Sequence, residues 1–196
     1  MKEPTLYRIT RPLIKTLFHI LYCPTYIGLE NIPMDKPCVL AGNHTNYLDC
    51  LLLISSTKRT IHFLAKDDLI KGSKKIIFKN MGIIPVNRKK HDGSSLTLAK
   101  QQLQKNKLIG IFPEGTINRT KDTIMPFKIG AVKMTSETNS YLIPFCIKGK
   151  YKIFKKSVIL EIYKPYLVTK DLETENQKLM KKIKLELEKK VKNESI

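Results

Sequence analysis

Cysteine is scarce in this chain of 196 residues: Cys23, Cys38, Cys50 and Cys146 are the only four, and no two form a C-x-x-C pair. That excludes a zinc ribbon and, with no secretory leader ahead of them, a disulfide framework. Reduced thiols in a cytosolic compartment are expected, with no metal and no bound cofactor. A Walker loop and a G-x-G-x-x-G turn are also missing, so a nucleotide is not the evident ligand. Aromatic residues make up only 8% of the chain and form no cluster, and no recognised nucleic-acid motif is present. The chain is therefore not expected to bind nucleic acid, although its charge permits it. There is no internal repeat, no low-complexity linker and no sign of a second domain.

Arginine is scarce as well, five residues against 31 lysines, within a formal net charge of +19. Residues 171–196 carry seven lysines against six acids, so nearly all the excess lies before them. Such a field attracts polyanions: nucleic acid, an anionic bilayer, an acidic carrier protein or a phosphorylated metabolite. Against a lysine background each arginine is the more informative, because its planar fork grips phosphate by two bonds at once.

A hydrophobic content of 42% and a length of 196 residues suit one folded domain. Residues 1–27 carry Leu13, Ile14, Leu17, Phe18 and Leu21 at helical spacing, with Arg8, Arg11 and Lys15 between them. This basic amphipathic helix is too short and too charged to cross a bilayer, and suits the plane of a membrane surface. Packing on the body of the domain or in a protein groove is the alternative. Residues 28–170 then alternate strands and helices: strands over 38–41, 60–64, 83–86, 108–112, 141–147 and 158–163, helices over 47–54, 67–78, 94–105 and 129–136. Residues 171–192 form a final helix packed on the same domain, with Leu172, Leu179, Ile183, Leu187 and Val191 on one face and Glu186–Lys190 and Glu188–Lys192 as supporting pairs. The fold class is α/β, a single mostly parallel or mixed sheet flanked by helices.

Polar residues gather where the strands end. His44 follows the first, Arg88 the third and Glu114 the fourth, and in open α/β sheets ligands bind at the carboxyl ends of strands. His44 and Asp49 are five positions apart, so within one helix they would point roughly 140° apart. They can cooperate only across a bend. With Asn46 as N-cap, Asp49 becomes the third helical residue and its carboxylate reaches back to the imidazole, giving a base with an orienting acid. An aspartate in a first turn is also what the helix dipole alone favours. Cys50, beside Asp49, points about 100° away on the helix and is expected to pack inward rather than act as a nucleophile.

Asn43-His44-x-x-x-x-Asp49, Gly82-Ile83-Ile84-Pro85-Val86-Asn87-Arg88, Phe112-Pro113-Glu114-Gly115-Thr116 and Ile143-Pro144-Phe145 resemble, in order and spacing, the four motif blocks of the 1-acylglycerol-3-phosphate acyltransferase family. Phe127-Lys128-x-Gly130-Ala131 is similar to the segment that family places between its third and fourth blocks. The resemblance covers roughly residues 28–166. It implies transfer of a fatty acyl group from a thioester on acyl carrier protein or coenzyme A to the free hydroxyl of lysophosphatidate, giving phosphatidate, by a protein at the cytoplasmic face of an anionic membrane. His44 would be the general base and Asp49 its orienter. Arg88, Glu114, Gly115, Thr116 and Lys128 would bind the glycerol phosphate, Glu114 by accepting bonds from hydroxyls or fixing a cation. Two positions depart from the family pattern: Asn87 stands where many members have Asp, and Ile117 where many have Arg, with Arg119 two residues on. Another acceptor, glycerol 3-phosphate or a different lysophospholipid, fits the same motifs. A non-catalytic basic binding protein is the rival from another class.

Overall fold

The computed structural model describes residues 4–66, 80–86 and 94–189. The helix expected over 67–78 lies outside these residues, as do Asn87, Arg88, Lys190 and Lys192. Helix α1 spans Thr5–Tyr22 and ends at Cys23, whose left-handed backbone (φ 42°) lets its N–H bond back to His19 O before Pro24 forbids another turn. Strand β1 is Thr25–Ile27, β2 Cys38–Gly42, β3 Ile61–Lys66, β4 Ile84–Val86, β5 Leu108–Ile111, β6 Tyr141–Gly149, β7 Val158–Ile162 and β8 Tyr166–Leu167. Helices α2, Asp49–Ser56, α3, Ser94–Leu103, α4, Gly130–Glu137, and α5, Leu172–Glu188, lie among and after them.

These strands form one sheet in the order β1-β7-β6-β2-β5-β3-β4, with β8 beside β6. The β1/β7, β6/β2, β2/β5, β5/β3 and β3/β4 pairs are parallel, and β7 and β8 run antiparallel to β6. β2 is central and buried along its whole length, which is why Cys38-Val39-Leu40-Ala41 reads as an unbroken apolar run rather than an alternation. Its side chains still alternate between two cores. Cys38 and Leu40 meet Tyr7 and Phe18 of α1 and Leu52 and Leu53 of α2 on one face. Val39 and Ala41 meet Ala99, Leu103, Val132, Met134, Leu179 and Ile183 of α3, α4 and α5 on the other. The result is a three-layer α/β/α domain.

Pro144 lies within a central strand, opposite Ala41 of β2. On the other side of β6 it falls between the residues paired with β8 (Tyr141, Leu142) and those paired with β7 (Phe145 onward), where a missing N–H is tolerated. In α5, Asp171 caps the start by accepting from Thr174 N at 3.2 Å. Glu186, whose expected partner Lys190 lies outside the described residues, bonds to Lys182 and Lys189, at 2.7 and 2.8 Å.

The amphipathic pattern of α1 divides between two surroundings. Tyr7 and Phe18 are buried against the domain, whereas Ile9, Leu13, Leu17 and Ile20 form a stripe on the far side, with Leu13 68% exposed. No helix among the described residues is long and apolar enough to cross a membrane.

Candidate active site

Parallel pairing of β2 with β5 sets the ends of the two strands side by side. Asn43 follows β2 and is buried; its amide donates to Ile147 O at 2.9 Å and accepts from Ile147 N at 2.8 Å, tying the strand end to β6. His44 comes next. Its ring stacks on Phe112, the residue after β5, with centroids 3.9 Å apart and planes 14° from parallel.

The chain then turns before α2. Asn46 Oδ1 accepts from Leu48 N at 3.0 Å and Asp49 N reaches Asn46 O at 3.1 Å, so a tight turn occupies Asn46–Asp49 and the regular helix starts only at Asp49. Asn46 is therefore not the N-cap of the α-helix, a place held by Leu48, and Asp49 is its first rather than its third residue. The reach back to the histidine survives because the turn itself is wound like a helix end. Asp49 Oδ2 lies 2.9 Å from His44 Nδ1 and accepts from Thr45 N at 2.7 Å and Asn46 N at 2.8 Å.

Asp49 is fully buried, so both its oxygens need partners. Oδ1 accepts from the Tyr151 hydroxyl at 2.7 Å. Tyr151 stands in the β6–β7 connection, edge-on to Phe18 and Tyr22 of α1. Burial, and then the Asp49 charge, push its phenol far above the ordinary value, so it remains a donor. Sequence reasoning missed Tyr151, which is 102 residues from its partner and belongs to no motif.

With the carboxylate accepting at Nδ1, the imidazole carries its proton there and offers the lone pair of Nε2. That is the arrangement of a general base whose conjugate acid is stabilised by a buried anion. Cys50 is no rival nucleophile: burial, then the neighbouring Asp49 charge, push its thiol up to about 12, so it is not a thiolate at neutral pH.

Glu114 is placed differently from what the motif suggested. Rather than facing hydroxyls or a cation, it is buried, with Oε1 accepting from His44 N and Oε2 from Met125 N, each at 2.8 Å. It joins the histidine loop to the 116–128 loop, as does Asn118 N donating to His44 O at 2.8 Å. Burial raises its carboxyl above the usual range, against the lowering pull of the Met125 and His44 N–H groups.

Gly115 has φ 76°, and a Cβ there would come within 2.9 Å of Lys128 Nζ. The left-handed turn is what favours glycine here, and the flexible end of the exposed lysine lies across it. Lys128 is held from behind by its own N–H on Pro113 O at 2.9 Å, and its side chain and Thr116 are exposed. The fold therefore brings His44, Asp49, Glu114, Gly115 and Lys128 together, with Thr116 at the surface beside them, while Arg88 is outside the described residues. Arg119 donates to the exposed Tyr47 hydroxyl at 3.1 Å, which brings it to the rim of the histidine loop.

Residues 23–148 match the family model described as Acyltransferase. The chain is 33% identical over 135 residues to the 1-acyl-sn-glycerol-3-phosphate acyltransferase of Borreliella burgdorferi, covering 67% of this chain and 54% of that one. It is 28% identical over 159 residues to the protein of the same name from Bacillus subtilis, covering 77% of each. The chain thus spans about half the length of the first of these relatives. In fold it is similar to the crystal structure of the 1-acyl-sn-glycerophosphate acyltransferase of Thermotoga maritima, with a TM-score of 0.76 at 20% identity, over 97% of this chain and 80% of that one.

Proposed function

The chain belongs to the acyltransferase family, and from that premise we propose that it moves a fatty acyl group from a thioester to the free hydroxyl of 1-acylglycerol 3-phosphate, yielding phosphatidate. The observation that carries this reading is the His44–Asp49 pair, 2.9 Å apart at the carboxyl end of β2, with Lys128 on the adjoining loop. Its curated relatives bear that activity in their names.

In the proposed reaction His44 Nε2 takes the proton of the acceptor hydroxyl as its oxygen attacks the thioester carbonyl. Base assistance of this kind contributes roughly 10² to 10⁴ in rate. The imidazolium so formed is stabilised by Asp49. The tetrahedral oxyanion collapses, the C–S bond breaks, and the departing sulfur receives the proton from His44, so that base and acid are the same group and no acyl-enzyme intervenes. Lys128 and Arg88 supply cations for the acceptor phosphate, and Lys128 is also available to a developing oxyanion. Gly115 and Thr116 offer a backbone approach and a hydroxyl on the same loop. Glu114 acts through His44, as a positioning residue.

The donor is the thioester of acyl carrier protein or of coenzyme A; both are polyanions suited to a chain of net charge +19. The exposed stripe of α1, flanked by Arg8 and Lys15, suits the cytoplasmic surface of an anionic bilayer, from which a lysophospholipid would be drawn.

The test is direct. Purified protein is incubated with lysophosphatidate and each thioester donor in turn, and phosphatidate is measured. Product that disappears in His44→Ala supports the reading. Product with glycerol 3-phosphate or another lysophospholipid, and none with lysophosphatidate, replaces the acceptor. Absence of transfer to any of them refutes the catalytic reading and leaves a binding protein.

A further inference from the structure

Three of the chain's five arginines, Arg8, Arg11 and Arg59, line one cavity of about 410 Å³, together with Lys58 and Lys107. In a chain with 31 lysines, this convergence is not what a lysine-rich surface produces by composition. The cavity is also at the wrong end of the sheet for the acyl-transfer site. Its lining includes Thr60, just before β3, and Leu108, the first residue of β5, whereas His44 and Phe112 follow the carboxyl ends of β2 and β5. Leu108 and Phe112 are four steps of extended chain apart, about 13 Å.

Arg59 is only 9% exposed, yet its guanidinium donates to neutral acceptors, Pro33 O and Asn106 O, the latter at 2.8 Å. Arg11 Nε donates to Thr57 O at 2.6 Å. No ion pair among the described residues involves Arg8, Arg11, Lys58 or Arg59. Asp35, whose charge acts on the neighbouring Cys38 thiol, is not part of the lining. A nearly buried guanidinium with no ion-pair partner among the described residues is costly, and Arg8, Arg11 and Lys58 around it raise that cost unless an anion enters. Tyr7 braces the wall, its hydroxyl accepting from Ile61 N and donating to Arg59 O. Arg11, Arg59 and Tyr7 are thus fixed by hydrogen bonds to the backbone, and Arg8 and Lys58 join them as exposed side chains of the lining.

We propose that this cavity is a second anion site, which binds a phosphate group through Arg8, Arg11 and Lys58 over the positive floor made by Arg59. Arginine forks match the paired oxygens of a phosphate, and the shared chemistry is a phosphate ester or free phosphate. Arg8 and Arg11 stand on α1, the helix that also carries the exposed stripe Ile9, Leu13, Leu17 and Ile20, so a phospholipid headgroup and a soluble phosphoanion both have a route to the cavity. The proposal does not depend on the acyl-transfer reading.

The chain contains no tryptophan, so Met34→Trp, at an exposed lining position, makes a fluorescent reporter specific to this cavity. The full chain is titrated with inorganic phosphate, and separately with phosphatidylcholine vesicles with and without phosphatidylglycerol. The same titrations are repeated with Arg8→Ala/Lys58→Ala added, two exposed side chains with no ion pair among the described residues, and with Lys181→Ala/Lys184→Ala on the outer face of α5 as a charge-matched control. A saturable emission change is expected that weakens at least tenfold in the first pair and less than twofold in the control. A response to free phosphate supports a soluble phosphoanion, and a response to anionic vesicles alone supports a lipid headgroup. Absence of any response, or one that Arg8→Ala/Lys58→Ala leaves as strong as the control does, overturns the proposal. So does an equal response to vesicles of phosphatidylcholine alone, which marks apolar contact and not anion binding.

Discussion

Replacing Asp49 by asparagine separates the charge of this side chain from its shape. The amide oxygen can take the place of Oδ2 and accept from His44 Nδ1, Thr45 N and Asn46 N, now at 2.9, 2.7 and 2.8 Å. The NH₂ group then stands where Oδ1 does, 2.7 Å from the Tyr151 hydroxyl, which can turn and accept. Fold and tautomer are both retained, and what is lost is the anion facing the imidazolium. Two unit charges about 4 Å apart at an effective dielectric near 20 attract by about 4 kcal/mol. At 1.36 kcal/mol per decade that is close to 10³ in rate. Asp49→Asn is therefore expected to melt within a few degrees of the parent while kcat for acyl transfer falls about 10³-fold. Asp49→Ala, which leaves buried donors without an acceptor, is expected to lose stability as well. Calorimetry alongside steady-state kinetics on both variants provides the check. If Asp49→Asn keeps kcat within tenfold, the carboxylate charge does not stabilise the imidazolium. If its loss of activity only follows a loss of folded protein, the role of Asp49 is structural.

Tyr151→Phe removes the hydroxyl from a fully buried carboxylate oxygen; it is expected to cost about 1.5–3 kcal/mol of stability, seen in the denaturation midpoint, and to lower kcat far less than Asp49→Asn, because Oδ2 still holds His44. An unchanged midpoint would show that the bond contributes no net stability. For Glu114, burial raises the folded pKa, so the native state holds its proton more tightly than the unfolded chain. The stability advantage of wild type over Glu114→Gln is thus greatest at low pH and shrinks as pH rises through the folded value, in urea titrations at several pH values; an advantage that grows with pH contradicts the assignment. Cys50→Ala is expected to retain kcat within about threefold, and Cys50, with its thiol at about 12, to resist iodoacetamide at pH 8 while the exposed Cys23 reacts. Leu13→Glu/Leu17→Glu changes only exposed positions of α1, so flotation with anionic vesicles should fall several-fold at an unchanged melting temperature. Equal flotation would move the membrane contact elsewhere.

The strands were legible because burial on both faces leaves an unbroken apolar run, as in Cys38–Ala41, and α5 because its apolar period is local. His44 and Asp49 could be paired on paper since only a turn separates them. The start of α2 was misplaced because Asn46 can either cap a helix or close a tight turn, and the choice depends on what holds Asp49. Glu114 was misread for a related reason. A carboxylate in a loop motif is drawn equally to substrate hydroxyls and to backbone N–H groups, and its burial between His44 and Met125 decides in favour of the latter.

Periodicity, turn residues and motif spacing are properties of neighbours along the chain, and they determined the α/β class, the amphipathic first helix and the pairing of His44 with Asp49. Contacts across tens of residues rest on how the sheet is ordered, which no local pattern encodes. Only the tertiary structure could bring Tyr151 to Asp49, turn Glu114 inward, divide α1 into a packed and an exposed side, and gather Arg8, Arg11 and Arg59 around one cavity.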